Sequence, residues 1–154
     1  MKIVDFLNPR AISANLKSTD KEGVIGELVD LLVKVKEIKN RDEIIKALLE
    51  REALGSTGIG QGIAIPHAKS DSVKDLVAAF GLSRKGVNFD ALDGEQVYIF
   101  FLLVAPTDSA GPHLKALARI SRLLKDKYLR QTLRNAEDER DVLRIMREED
   151  QKRD

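Results

Sequence analysis

Only two histidines occur in the chain, His67 and His113, and each stands directly after a proline where a regular element is expected to begin or end. A neutral imidazole, with an ordinary pKa of about 6.5, is a competent nucleophile near neutral pH and needs no base to activate it. Once it carries a phosphoryl group it is also a good donor, because the leaving group is again a stable neutral ring. Pro66 stiffens the backbone before His67, and Gly55, Gly58, Gly60 and Gly62 upstream allow tight turns and leave room for a bulky tetrahedral group. His113 follows Pro112, whose fixed φ suits the first turn of a helix. The helix dipole is then expected to hold its ring neutral and let it present an N–H to an anion. Arg51, just before the glycines, can offer a fork of donors to phosphate. Each residue also has an ordinary structural use: a surface or capping histidine, a partly buried polar side chain, an arginine that offsets the dipole at a helix C-terminus. Spacing alone leaves both uses open.

Other chemistries fit poorly. Two histidines without a clear third ligand make a weak zinc site. The glycines lack dinucleotide-loop spacing and the Lys-Ser/Thr ending of a P-loop, and they follow a helix rather than a strand. Ser56 and Thr57 have no nucleophile-elbow context. Glu52, Asp71 and Asp75 read as polar-face residues, and Lys69 as a solvated loop lysine.

The elements that must position these residues can be read from periodicity and punctuation. After an extended opening segment, Thr19 with Glu22 reads as a capping box, and Val24, Ile25, Leu28, Leu31, Leu32 and Val35 form the buried stripe of a first helix. Asn40 with Glu43 repeats the signal, and Ile44, Ile45, Leu48 and Leu49 carry a second helix that should stop near Gly55. Ile63 to His67 reads as a short strand stopped by proline, and Leu76 to Ser83 as another. The continuous apolar run Val97 to Ala105, preceded by an Asp93-Gly94 turn, is the expected central strand, buried on both faces. Pro112 opens a helix with Leu114, Leu117, Ile120 and Leu124 as its apolar face, and Asn135 with Asp138 starts a last helix carrying Val142, Ile145 and Met146. Residues 148–154 are almost all charged and are expected to fray. The order predicts one α/β domain over residues 1–147, a mixed and mostly buried sheet with helices on its faces.

Composition narrows the classes. A 154-residue chain with 43% apolar and 33% charged residues is ordinary globular material. The 26 basic and 25 acidic residues nearly cancel, so no net field points toward nucleic acid or an anionic membrane. No cysteine is present, which excludes disulfides, thiolate metal sites and cysteine nucleophiles. The N-terminus lacks the apolar stretch of a signal peptide, and Val97 to Ala105 is too short to span a bilayer as a helix. A cytoplasmic location without direct membrane insertion is expected.

Glu52, then Ile59-Gly60, then Ile63-Ala64-Ile65-Pro66-His67-Ala68 resembles the phosphorylation-site signature of one class of IIA component in the phosphoenolpyruvate-dependent phosphotransferase system. That class, the type-2 IIA domains, comprises the fructose, mannitol and nitrogen-regulatory members. The resemblance implies that His67 accepts and donates phosphate, on its outer ring nitrogen, and that a small histidine-phosphocarrier protein (HPr-like) is the donor. It also implies a second histidine at the place of His113 and an arginine near the place of Arg51. No cofactor or metal is implied, since transfer between two histidines involves no nucleotide. Three outputs follow: a nitrogen-regulatory relay read by target proteins, a sugar-uptake relay to the cysteine of a IIB component, or a binding module that has kept the fold and lost the relay. With no IIB or IIC region in the chain, the regulatory relay is the expected one.

Overall fold

The computed structural model describes residues 1–152. A 3-10 turn at Ile3–Asp5 leads into β1 (Leu7–Ser13), followed by helices α1 (Lys21–Lys34) and α2 (Arg41–Ala53). Three short strands come next, β2 (Gly58–Gly60), β3 (Ile63–Ala64) and β4 (His67–Lys69), and then the long strands β5 (Val77–Val87) and β6 (Val97–Ala105). Helices α3 (Ala110–Leu124), α4 (Lys127–Arg134) and α5 (Glu139–Lys152) close the chain.

The six strands form one mixed sheet in the order β1-β5-β6-β3-β2, with β4 also paired to β6. β6 is central, as its unbroken apolar run requires, and every residue in it except Tyr98 is buried. Alternation along the strands splits the core in two. Phe80, Leu82, Phe101 and Leu103 face α3, α4 and α5, while Ala79, Phe100, Leu102 and Val104 face α1 and α2. The result is three layers, helix on sheet on helix. No described helix is long and apolar enough to cross a membrane.

Several local expectations change. The side chain capping α1 is Asp20, which accepts from the Gly23 N–H at 2.7 Å, rather than Thr19. Asn40 occupies the cap position of α2 but its side chain makes no cap bond. At α5 it is Asp138 that accepts, from the Asp141 N–H at 2.9 Å. Helix α4 was not legible from periodicity: it is eight residues long and buries only Leu129 and Leu133, too few positions to show a repeat.

The strand expected from Ile63 to His67 is broken at Ile65 and Pro66 but resumes at His67. Ile63 pairs with Ile99 and His67 with Leu103, the same offset, so the chain runs parallel to β6 through β3 and again through β4. Pro66 lacks an N–H, yet its carbonyl still accepts from the Leu103 N–H at 2.9 Å.

The charged end does not fray over its described part. Helix α5 continues to Lys152, and Asp150 is only 2% exposed. Its carboxylate accepts from the Ile3 and Val4 N–H groups, at 2.9 and 3.0 Å, and from the Arg119 guanidinium at 2.9 Å. Residues 153 and 154 lie outside the described residues.

Candidate functional site

His67 begins β4, beside the C-terminal half of β6, and His113 sits in the first turn of α3, the helix reached soon after β6 ends. The topology therefore brings two residues 46 positions apart to one end of the sheet. Their rings meet edge to face with centroids 5.5 Å apart.

The Nδ1 of His67 lies 2.7 Å from the Ile65 carbonyl oxygen. A carbonyl only accepts, so Nδ1 carries the proton and Nε2 is left with its lone pair outward. Burial lowers the pKa of His67, with the positive charge of Arg51 adding to the effect; the Ile65 carbonyl and the Glu52 carboxylate oppose it. The nucleophilic, uncharged form is thus the one that the fold favours.

His113 is 5% exposed, and its Nε2 is buried with no hydrogen-bond partner among the described residues. Its pKa falls to about 4, chiefly through burial and then through the charges at His67 and Lys69. The ring is neutral, as the sequence led us to expect, and burial is the first cause of it.

The pair opens onto a cleft of about 640 Å³ between α2 and α3, whose walls include Glu50, Arg51, Leu54, Lys69 and Leu114. This is far larger than one phosphoryl group and lies in the range of ligand sites. Arg51 donates from Nη1 to the Gly55 carbonyl at 2.8 Å, which ties the arginine to the end of its own helix beside the cleft. The three residues singled out for chemistry, His67, His113 and Arg51, are therefore together. Lys69 is exposed as a solvated lysine would be, but it lies on a strand, two residues from His67, and so on the same face.

Two expectations fail. The glycines do not line this cleft: Gly60 and Gly62 have φ of 98° and 81° and make the turn between β2 and β3, on a different part of the surface. Leu114, expected in the apolar face of α3, is 66% exposed at the cleft rim, with Leu54 85% exposed across from it.

Glu52 was read as a polar-face residue and is buried instead. It accepts from the Thr57 N–H at 3.1 Å and from the Thr57 hydroxyl, and Lys21 Nζ lies 3.2 Å away over the Phe89 ring. Its place in the signature was the only signal of this. Lys21 carried none, because its contact is made across the fold. Among the described residues no group of three His, Cys, Asp or Glu side chains could hold a metal ion.

A family described as "Phosphoenolpyruvate-dependent sugar phosphotransferase system, EIIA 2" matches residues 5–149. The chain is 41% identical over 150 residues to the fructose-specific EIIABC component of Bacillus subtilis, covering 97% of this chain but only 24% of that longer protein. It is 36% identical over 148 residues to a nitrogen regulatory protein of Bradyrhizobium diazoefficiens, with 95% of each covered. The crystal structure of the nitrogen regulatory protein IIA-Ntr from Neisseria meningitidis superposes with a TM-score of 0.87 at 32% identity, covering 94% of this chain and 98% of that one.

Proposed function

Because the chain belongs to the phosphoenolpyruvate-dependent sugar phosphotransferase system EIIA 2 family, we propose that His67 is the residue that receives and passes on the phosphoryl group. The observation that carries this reading is the Nδ1–H bond to the Ile65 carbonyl, which leaves Nε2 as the free nucleophile beside an open cleft.

In the proposed step a small histidine-phosphocarrier protein presents its phosphoimidazole in the cleft. The Nε2 lone pair of His67 attacks phosphorus in line and the P–N bond to the carrier breaks; the carrier's ring, already protonated at its other nitrogen, leaves as neutral imidazole, and the His67 ring, which keeps Nδ1–H, takes over the positive charge. Such transfers pass through a loose, metaphosphate-like transition state, so the protein contributes position and donors for the equatorial oxygens. His113 supplies one donor: its unpartnered Nε2 gains an acceptor only when an oxygen enters the cleft. Arg51 supplies another, its guanidinium held at the wall by Gly55. No metal or cofactor enters the step.

The output proposed is regulatory, in the cytoplasm, with phosphorylation state read by partner proteins. Support comes from the nitrogen regulatory relatives, matched over nearly their whole length. The 41% identity to a fructose-specific component favours a second reading, transfer to a IIB component during sugar uptake.

Incubation with phosphoenolpyruvate, the first enzyme of the pathway and its carrier should place one acid-labile phosphoryl group on His67, and none on His67→Ala. Label that survives this substitution, or that maps to His113, would overturn the assignment. Offering the phosphorylated protein to membranes lacking their own fructose or mannitol IIA separates the two outputs. Rapid restoration of sugar phosphorylation would establish uptake, whereas capture of a partner by one phosphorylation state alone would establish regulation.

A further inference from the structure

Glu52 does not line the cleft, and besides the effect of its charge on His67 a path of hydrogen bonds joins the two. The Glu52 carboxylate accepts both donors of Thr57, its N–H at 3.1 Å and its hydroxyl. The Thr57 carbonyl accepts the Ile65 N–H at 3.0 Å. The Ile65 carbonyl then accepts Nδ1–H of His67 at 2.7 Å. Ile65 is thus gripped on both sides, and the direction of its carbonyl is set by the segment that Glu52 anchors.

The anchor is itself fixed. Glu52 is 7% exposed and Thr57 3%, and Lys21 from the start of α1 places its ammonium 3.2 Å from Glu52 and 4.8 Å from the centre of the Phe89 ring. A buried carboxylate needs such a partner, and a buried threonine such an acceptor, or each leaves a costly unsatisfied group. Three separate segments, the start of α1, the end of α2 and the loop before β2, therefore meet at one carboxylate, which hydrogen bonds through Thr57 and Ile65 join to the His67 ring.

Either nitrogen of a neutral imidazole can carry its proton, and the choice is made by the hydrogen bond at the other nitrogen. If the Ile65 carbonyl turned away, protonation at Nε2 would remove the lone pair that faces the cleft. We propose that Glu52, held by Lys21 and acting through Thr57 and Ile65, is a positioning residue that fixes the reactive tautomer of His67. The effect on phosphoryl transfer rests on the carrier role proposed above; the effect on the ring does not.

The test combines the ring-nitrogen NMR signals of His67 with single-turnover loading from the phosphorylated carrier. In the unsubstituted protein Nδ1 should give a protonated signal and Nε2 an unprotonated one. In Glu52→Leu, and to a smaller degree in Thr57→Val, the two signals should move toward each other as tautomers mix, and loading should slow by about tenfold, as loss of an orienting partner commonly does, with KM for the carrier unchanged. Thr57→Ser, which keeps the hydroxyl, should restore both readouts. Should Glu52→Leu fail to fold, Thr57→Val carries the test, being close in shape. Ring signals unmoved in the folded variants would overturn the inference, and so would a loss in Thr57→Ser equal to that in Thr57→Val. An unsubstituted protein that accepts no phosphoryl group would refute the carrier role and leave the ring signals to decide the tautomer question.

Discussion

His67 and His113 have ring centroids 5.5 Å apart, where two positive charges would repel, and the transfer proposed above starts from the uncharged His67 ring. Burial ensures this by lowering both pKa values, that of His113 to about 4. Loading of His67 should therefore stay level through neutral pH and fall only below the ordinary histidine range, which a rate profile against pH would show. Stability should respond as well. Because the folded pKa of His113 lies below its unfolded value of about 6.5, the unfolded chain binds more protons between those values. Folding stability contributed by the neutral ring is full above about pH 6.5 and is lost as pH falls toward about 4. Urea midpoints measured across that window should drop less steeply in His113→Asn, which has no proton to gain. The same substitution should slow phosphoryl transfer, since a charge-assisted hydrogen bond to the transferred group contributes on the order of 1–3 kcal/mol.

Helix α5 owes its last turn to a contact made across the molecule. Asp150 closes on the 3-10 turn at the N-terminus and on Arg119 of α3, the helix that carries His113. Asp150→Ala would remove one acceptor of the buried Arg119 guanidinium and leave the Ile3 and Val4 N–H groups without the carboxylate they donate to. A loss of roughly 1–3 kcal/mol is expected in equilibrium unfolding from the unsatisfied donors, with Asp150→Asn milder because the amide oxygen still accepts. The tail looked frayed because charge alone signals solvent, and nothing nearby in sequence announces that Arg119 and two amides await a carboxylate. Strand β5 offers a second test. A Cβ on Gly81 would meet Leu16 Cδ1 at 2.7 Å and Leu28 Cδ2 at 2.9 Å, where β5 packs closely under α1. Gly81→Ala should destabilise by about 1–3 kcal/mol through overpacking while leaving His67 able to accept phosphate, since the clash is in the other core layer from α3.

At the scale of the whole molecule, one cleft end of the sheet faces outward with large apolar side chains on both rims. Leu54 and Leu114 are 85% and 66% exposed beside the cleft, so in the relay proposed above a carrier docking there would cover both. Leu114→Asp should raise KM for the carrier roughly five- to tenfold, as loss of an interface anchor does, and leave the thermal midpoint within a degree or two. A shift in midpoint without a change in KM would make Leu114 a structural residue. Much was legible before any fold was known. The apolar stretch from Val97 to Ala105 and the stripes of α1 and α2 are local patterns, decided by residues a few positions apart, and they predicted the layered α/β domain, whereas His67, His113 and Arg51 were singled out by the resemblance to the type-2 IIA signature and its family. What needed the tertiary structure was everything set by which distant segments meet: the burial that depresses His113, the carboxylate of Glu52 turned inward to Thr57 and Lys21, the exposure of Leu114 and the seat of Asp150. Desolvation and buried pairing depend on distance in space, and a linear pattern carries distance only along the chain.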